Sequence, residues 1–230
     1  MMSDYDDVWL VIPAYNEGTV IADVIENARK TFPNIVVIDD GSTDNSAETI
    51  MTTGAHLVQH PVNLGQGAAL QTGFNYALKQ PGAKYFATFD ADGQHQTHDV
   101  EKMVALLRAD EADVVLGSRF IEQTGEVPWI KRVVLRTAAT ISPTARKLNL
   151  TDSHNGLRVI NRKAASALRI TMNGMAHASE IVATLASSDL RVMEVPVDIL
   201  YTEYSRSKGQ SLINGVNILF DISLRERGRK

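Results

Sequence analysis

The first half of the chain alternates short apolar runs with segments of helical periodicity. Five runs rich in Val, Ile and Phe are separated by four amphipathic stretches; the runs are VWLVIPA, NIVVIDD, HLVQH, YFATFD and DVVLGS. Strands this short and this continuously apolar are typical of a parallel sheet whose two faces are covered by helices. The pattern therefore predicts a doubly wound, Rossmann-like α/β fold. Capping residues mark the predicted helix starts: Asn16, Ser42, Asp44 and Thr97.

After Phe120 the pattern becomes less regular. A polar stretch, EQTGEVP, is followed by a basic helical stretch over 129–147, a strand-like LRVIN, two helical segments and the strand RVMEVPVDIL. A terminal helix is predicted over 211–227. Because no linker, internal repeat or low-complexity tract separates the two halves, we expect a single domain over residues 1–230.

Composition narrows the class of protein. The 230 residues are 44% hydrophobic and 22% charged, which is typical of a folded globular chain. Cysteine is absent, which excludes disulfides, thiolate metal sites and a cysteine nucleophile. A net charge of -4 argues against a nucleic-acid partner. The acidic start MMSDYDD has no apolar core of a signal peptide, and no run approaches the roughly 20 residues that span a bilayer, so we expect a cytoplasmic location.

Polar side chains concentrate directly after three of the apolar runs. They form the groups Pro13 to Glu17, Asp39 to Asp44, and Asp90 to His95. Ligands of open α/β sheets bind at the carboxyl ends of the strands. We therefore expect these three groups to meet at one edge of the sheet and to build a binding site there.

Asp90 and Asp92 are the predicted metal ligands. In an extended segment, a spacing of two residues puts both carboxylates on the same side, where they can bind one hard cation. Oxygen ligands favour Mg²⁺ or Mn²⁺ over zinc, and His95 is at most an outer ligand. Such a cation would neutralise a leaving diphosphate. The structural alternative is an ordinary turn, in which Asp and Gly are common.

The other groups have both a binding and a structural interpretation. Asp39 and Asp40 either lead into a helix cap or accept hydrogen bonds from a base, and Tyr15 either lies against the base or packs. The stretch NLGQGAAL fails the dinucleotide-binding pattern because Leu70 replaces the third glycine. Gly67 then either brings backbone N–H groups to a ligand or serves a tight connection.

The segments VIPAYNEG, VVIDDGSTDNS, NLGQGAALQTGF, FDADGQHQ and VLGSRF occur in this order and resemble the family 2 glycosyltransferases of the GT-A fold. Within that family the chain is similar to the branch of dolichyl-phosphate mannose synthases and bacterial polyprenyl-phosphate or surface-polysaccharide transferases. DSHNGLRVINRKA and EVPVDILYTEYSRSKGQS carry this second likeness. The resemblance implies that 1–120 bind the nucleotide sugar and 121–230 form the acceptor half.

The resemblance also implies roles for matching residues. Asp92, Gln94 and Arg119 would be catalytic, with Gln94 near the sugar or metal. Asp90 and Asp92 would bind the metal and the diphosphate. Arg119, Arg206 and Lys208 would contact phosphates. The nucleoside would be held by Pro13, Tyr15, Glu17, Asp39 and Asp40. The implied nucleotide-sugar contacts are Pro13, Ala14, Tyr15, Glu17, Asp39, Asp40, Gly67, Asp90, Ala91, Asp92, Arg119, Arg206 and Lys208.

The identity of the acceptor is inferred from the absence of a typical catalytic base motif in the second half of the sequence. After Phe120 there is no D-x-D or E-D pair to serve as base, and the remaining candidates are Asp152, His154 and Glu180, the last more typical of an orienting residue. Because a phosphate acceptor is already an anion, it needs no base. The sequence therefore predicts an inverting transferase that moves a sugar from a UDP- or GDP-linked donor to a polyprenyl phosphate. The alternative is a saccharide hydroxyl on a surface polysaccharide.

The basic stretches point to further partners. The 129–150 segment and the tail LFDISLRERGRK are basic and amphipathic, which indicates peripheral contact with the inner face of the membrane or with a membrane-protein partner. They would equally suit packing on the protein's own core or in a homodimer. Two remote alternatives are a sugar nucleotidyltransferase, which would open with a Gly-rich loop unlike PAYNEG, and a non-catalytic binding subunit, which would have lost the metal carboxylates.

Overall fold

The computed structural model describes residues 3–121, 147–174, 176–200 and Tyr204. The strands are β1 (Val8–Ala14), β2 (Asn34–Asp39), β3 (His56–Gln59), β4 (Tyr85–Thr88), β5 (Val114–Ser118), β6 (Arg158–Asn161) and β7 (Val192–Pro196). The helices are α1 (Ile21–Arg29), α2 (Ser46–Thr52), α3 (Gln66–Ala77), α4 (Thr97–Arg108), α5 (Arg162–Ala167) and α6 (His177–Ala186). The helices predicted over 129–147 and 211–227 lie outside the described residues, apart from Lys147.

The strands form one sheet of seven in the order β3-β2-β1-β4-β6-β5-β7. All neighbouring strands pair in parallel except β6, which runs antiparallel to both β4 and β5. The carboxyl ends of β1, β2, β4 and β5 therefore share one edge. Because β6 runs the other way, it begins at that edge, where Arg158 pairs with Thr88 of β4 and Leu116 of β5.

Hydrophobic cores lie on both faces of the sheet. On β1, Leu10 and Ile12 belong to the core under α1 and α4, whereas Trp9 and Val11 belong to the core under α3 and α6. A strand that is buried on both faces has no solvent-facing position, which explains the continuous apolar runs. The predicted doubly wound α/β fold is confirmed.

The helix starts agree with the sequence in part. Asp44 Oδ1 accepts a hydrogen bond from Ser46 N at 3.0 Å, so Asp44 holds the start of α2 as predicted. The first helix begins at Ile21 and not next to Asn16, because Asn16 has a φ of 55° and the chain turns before it becomes helical. Thr97 is the first residue of α4, where no side chain caps the helix.

At the edge of the sheet opposite the carboxyl ends of β1, β2, β4 and β5, the buried carboxylate of Asp113 connects three strands. Asp113 accepts hydrogen bonds from Asn161 Nδ2 at 2.9 Å and from Arg191 N at 3.0 Å, so it joins the ends of β5, β6 and β7. Burial alone would raise the pKa of Asp113, but the hydrogen bonds from Arg191 and Asn161 outweigh it and lower the pKa to about 2.

Candidate active site

The loops after β1 and β2 are tied together at the carboxyl edge. Asn16 N donates to Ser42 Oγ at 2.9 Å, and Asn16 Oδ1 accepts from Thr43 N at 2.9 Å. Glu17 N donates to Ser46 Oγ at 2.8 Å. Two residues of one loop and their three partners in the next are thus fixed relative to each other, and the edge is organised before any ligand arrives.

The structure places the residues implied for nucleoside binding at these loops. Pro13 and Ala14 end β1, and Tyr15 follows with 44% of its surface exposed. Asp39 ends β2 and accepts hydrogen bonds from Ser42 N at 3.2 Å and from Gln59 Nε2 at 3.4 Å. The exposed ring of Tyr15 next to these loops agrees with a base-binding surface, and its role stays a prediction.

Asp40 is engaged within the protein. It is buried, and its oxygens accept hydrogen bonds from Leu64 N at 2.9 Å and Gly65 N at 2.7 Å. His60 Nδ1 lies 2.7 Å from the same carboxylate. Asp40 therefore fixes the connection between β3 and α3, and its predicted contact with a base stays a prediction.

Gly67 has a packing role in the structure. Its N–H donates to Asn173 O at 2.7 Å and is therefore already used within the protein. A Cβ atom at this position would lie 2.0 Å from Met172 O and 2.9 Å from His177 Cβ. A glycine is needed because the chain before α6 packs directly on α3, and a contact of Gly67 with the nucleotide stays a prediction.

Asp90 and Asp92 lie together just beyond β4. Asp92 accepts hydrogen bonds from Gln94 N at 3.1 Å and from Gln94 Nε2 at 2.6 Å, so Gln94 orients the carboxylate. Burial raises the pKa of Asp92, and the negative charges of Asp90 and Glu17 raise it further. A divalent cation would relieve this repulsion, and the oxygen donors suit Mg²⁺ or Mn²⁺. The pair therefore fits the predicted metal.

His95 supports Asp90. Its Nδ1 accepts a hydrogen bond from Asp90 N at 3.1 Å, so in the neutral ring the proton is on Nε2, which lies 3.4 Å from Asp90 Oδ2. On the other side Gln66 Nε2 lies 3.5 Å from Asp90 Oδ1. Ala91 between the two carboxylates is buried. His95 thus orients Asp90, a proposed metal ligand.

The segment before β6 brings the acceptor half to the same edge. A Cβ atom on Gly156 would lie 2.5 Å from Asp90 Oδ2, so only glycine lets the chain pass this close to the carboxylate. Thr88 fixes the approach, because its Oγ1 donates to Gly156 O and accepts from Arg158 N at 3.1 Å. Gly156 is therefore a direct neighbour of the proposed metal site.

Arg119 follows β5 and is held by Asp152. Its Nε and Nη2 donate to the two carboxylate oxygens at 2.6 and 2.8 Å, a bidentate pair. Asp152 N in turn donates to Glu194 Oε1 at 2.8 Å. Burial would raise the pKa of Asp152, but the hydrogen bonds and charge of Arg119 lower it overall. The chain Glu194, Asp152, Arg119 presents one guanidinium at the edge, and its contact with a phosphate stays a prediction.

The other two base candidates are placed differently. Glu180 accepts hydrogen bonds from Thr171 N at 2.9 Å and Met172 N at 2.8 Å, which agrees with an orienting residue. These bonds outweigh burial and lower its pKa. His154 Nδ1 lies 2.9 Å from Ser153 Oγ, and burial lowers the pKa of the ring, which favours its neutral form.

Arg206 and Lys208 lie outside the described residues. Tyr204, two residues earlier than Arg206, donates a hydrogen bond from its hydroxyl to Glu17 Oε2 at 2.7 Å. Leu200 N donates to Gln94 O at 3.0 Å. The chain that leads to the basic loop therefore runs beside the proposed site.

A second group of potential metal ligands lies at the start of α4. Nε2 of His98 is 3.3 Å from both Asp99 Oδ1 and Asp198 Oδ2. The ammonium group of Lys102 lies 3.1 Å from the same oxygen of Asp99 and already compensates its charge. We therefore interpret this group as polar contacts that join α4 to the segment after β7.

Sequence reasoning missed three supporting residues. His60 directly follows the third apolar run, so applying the strand-end rule to that run as well would have found it. Glu194 and Arg158 lie inside strand patterns, where a charged residue on an otherwise apolar strand is the available signal. The partners of Glu194 are Thr151 and Asp152, more than 40 residues away, so the strand pattern alone does not reveal what Glu194 binds.

With this geometry established, comparison with known proteins defines the class. Residues 9–169 match the sequence model of the family described as Glycosyl transferase family 2, and the chain belongs to that family. The protein is therefore a glycosyltransferase, and the resemblance seen in the motifs is confirmed. The nucleotidyltransferase alternative is set aside.

Individual relatives are similar over nearly the whole chain. An uncharacterized protein of Methanocaldococcus jannaschii is 34% identical over 226 residues, which cover 96% of this chain and 93% of that protein. The UDP-N-acetylglucosamine–dolichyl-phosphate N-acetylglucosaminyltransferase of Methanococcus voltae is 29% identical, covering 96% of this chain and 97% of that protein.

Solved structures agree on the fold. Glucosyl-3-phosphoglycerate synthase from Mycobacterium tuberculosis, crystallised with Mn²⁺, UDP-glucose and phosphoglyceric acid, superposes with a TM-score of 0.65 at 18% identity. The match covers 86% of this chain and 72% of that one. This likeness confirms the GT-A fold. Among the described helices, none combines the length and the apolar character that crossing a membrane requires.

Proposed function

We propose that this protein is an inverting transferase that moves a sugar from a UDP-linked donor to a polyprenyl phosphate. In this proposal the oxygen of the acceptor phosphate attacks the anomeric carbon from the face opposite the nucleotide. The uridine lies along Tyr15 and Asp39, and the diphosphate lies between Asp92 and Arg119. The bond that forms is a sugar–phosphate ester, and UDP is the leaving group.

The residues of the chain have distinct tasks in this reaction. Asp90 and Asp92 hold Mg²⁺ or Mn²⁺, which when bound neutralises charge on the departing diphosphate. Gln94 keeps the Asp92 carboxylate in place through its 2.6 Å hydrogen bond. The Asp152 carboxylate fixes Arg119 in one orientation, so the guanidinium is already aligned toward phosphate oxygens.

The observation that carries the choice of acceptor is the engagement of three carboxylates among the described residues after Phe120. Asp152 is held by Arg119, Glu180 by Thr171 and Met172, and Glu194 by Thr151 and Asp152. A carboxylate that accepts several hydrogen bonds and has a lowered pKa is a weak base for a hydroxyl. A phosphate acceptor is already ionised and needs no such base.

The comparisons support the same substrates. The Methanococcus voltae relative is named for a UDP-linked donor and a dolichyl-phosphate acceptor, and it matches the chain over nearly its full length. The Mycobacterium tuberculosis enzyme was crystallised with UDP-glucose and Mn²⁺. The basic segments around 129–150 and at the tail would bring the protein to the membrane surface where such a lipid resides.

The test is a transfer assay with dolichyl phosphate in detergent as acceptor. Radiolabelled UDP-N-acetylglucosamine, UDP-glucose and GDP-mannose are compared with Mn²⁺ or with EDTA. We expect a UDP-linked donor to label the lipid only when metal is present, and Asp92→Asn to reduce the rate at least about 100-fold. Labelling by GDP-mannose alone would contradict the proposed donor. Undiminished transfer by the Asp92 variant would contradict the proposed site.

One observation favours a saccharide hydroxyl as the second candidate acceptor. Within the described ranges His154 Nε2 is buried and has no hydrogen-bond partner, and a neutral imidazole nitrogen is the group that would accept a hydroxyl proton. His154→Gln separates the two candidates. Transfer to a phosphate acceptor should continue at a similar rate in this variant, whereas transfer that depends on a base should fall by 10²-fold or more, on the order expected for general-base catalysis.

A further inference from the structure

Arg158 is a buried cation whose charged group has no hydrogen-bonding partner among the described residues. It is the first residue of β6, only 4% of its surface is exposed, and its backbone N–H donates to Thr88 Oγ1. Across the part of the chain that the structure describes, no hydrogen bond or ion pair engages the guanidinium. Its side chain instead borders a small, largely apolar cavity together with Phe74, Ile181 and Leu185. Burying an arginine without hydrogen-bond partners costs free energy, so a contribution to the stability of the fold does not explain why Arg158 lies here.

The charged groups around Arg158 belong to the proposed active site. Burial lowers the pKa of Arg158, and the carboxylates of Asp90 and Asp152 oppose this effect. The other titratable neighbours are His154 and His177, whose pKa values are lowered first by burial and also by the positive charge of Arg158. Both histidines are thus favoured in the neutral form, and Arg158 supplies fixed positive charge at this place.

The strand register places Arg158 close to the proposed metal site. Arg158 pairs with Thr88, and two residues after Thr88 comes Asp90. Gly156, two residues before Arg158, is the residue that passes directly against the Asp90 carboxylate. Since the charge of Asp152 is already compensated by the bidentate contact with Arg119, the charge of Arg158 acts mainly on Asp90.

We propose that Arg158 is a positioning residue that couples the binding of metal and donor: its buried charge opposes binding of the metal alone and favours binding of the diphosphate. The inference rests on the function proposed above. A fixed positive charge close to Asp90 repels a divalent ion and attracts a nucleotide diphosphate. The low dielectric of the protein interior strengthens both effects. Metal is then retained mainly when it arrives with the nucleotide sugar.

Binding measurements on purified variants test the coupling. Isothermal titration calorimetry gives the Kd of Mn²⁺ alone, and the Kd of UDP at saturating Mn²⁺, for the wild type, Arg158→Met and Arg158→Lys. For Arg158→Met we expect the Kd of Mn²⁺ alone to fall and the Kd of UDP to rise, each by about tenfold. The titrations are made at pH 6, so that Arg158→Lys keeps its charge although burial lowers the pKa of a lysine; both its constants should then stay within about threefold of the wild type.

The opposite signs distinguish coupling from a structural role. A residue that only maintains the fold would, when replaced, weaken both ligands or neither, and either result would overturn the inference. It would also be overturned if the lysine variant behaved like the methionine variant, because the charge would then be irrelevant. Replacement of a buried charge by an apolar residue of similar size is often tolerated. Should Arg158→Met not fold, Arg158→Gln provides the neutral variant.

The wild type separates this inference from the proposed function. If the wild type binds neither Mn²⁺ nor UDP, the proposed function fails and the role of Arg158 fails with it. If the wild type binds both, and the neutral variants do not change the two constants in opposite directions, only the role of Arg158 is refuted.

Discussion

Replacing Asp113 by asparagine tests how strongly one buried carboxylate holds the edge of the sheet opposite the site. Its pKa is lowered to about 2 from an ordinary value of 3.8. Since one pKa unit corresponds to about 1.4 kcal/mol, the ionised carboxylate stabilises the folded state by roughly 2 kcal/mol at neutral pH. Asp113→Asn should lose at least this amount, because an amide also turns a donor toward the N–H groups of Arg191.

The pH dependence of this loss has a definite sign. A carboxyl whose pKa is lower in the folded than in the unfolded state binds its proton more readily when unfolded. Its contribution is therefore fully present above the unfolded pKa near 4 and disappears as the pH falls toward about 2. Urea denaturation at a series of pH values from 7 down to 3 should show a constant difference between wild type and Asp113→Asn at first, and a shrinking difference below about pH 4.

Asp110 provides a matched control, because it contacts the same arginine as Asp113. Asp110 also pairs with Arg191, but its side chain is 85% exposed. Asp110→Asn should therefore cost well under about 1 kcal/mol, as is usual for exposed ion pairs. If Asp113→Asn cost no more than the control, or if its effect persisted unchanged to pH 3, the assignment of the lowered pKa to these hydrogen bonds would be wrong.

Three further substitutions test the site and its supports. Gly67→Ala should destabilise the fold by about 1–3 kcal/mol in thermal or urea denaturation, because its Cβ would lie 2.0 Å from Met172 O, whereas Gly174→Ala meets no atom within 4 Å and should change little. Asp40→Asn should weaken UDP binding and lower the melting temperature together, since it releases the loop before α3. Arg119→Lys should keep the melting temperature within a few degrees but lower kcat by about tenfold or more, because lysine cannot form the bidentate pair.

The fold was predictable because its signals are local. Continuous apolar runs identify strands buried on both faces, and polar residues after those runs identify the edge where they meet. The antiparallel direction of β6 was not predictable, because the four residues from Arg158 to Asn161 form the same kind of short run as a parallel strand. Direction follows from which loops connect the strands in space, and the sequence pattern does not contain that information.

The sequence predicted which residues follow the strands at the carboxyl edge, but it did not predict which groups these residues contact. Asp39 and Asp40 are adjacent and chemically identical, yet Asp40 accepts backbone N–H groups of a loop more than 20 residues away. Arg119 and Asp152 are 33 residues apart, and neither position indicates the other. Whether a carboxylate is available to a ligand depends on such distant donors, so residue type and spacing identify the group but not its partner.

Two parts of the site are held by different interactions. At the loops after β1 and β2, backbone N–H groups and short polar side chains fix the chain, as in the pair Asn16 and Ser42. Around Arg119, orientation depends on the chain of charged groups Glu194, Asp152 and Arg119. Breaking one member of such a chain leaves a buried charge uncompensated, which typically costs several kcal/mol. The contacts around Arg119 are therefore expected to tolerate substitution less well than the contacts between the loops.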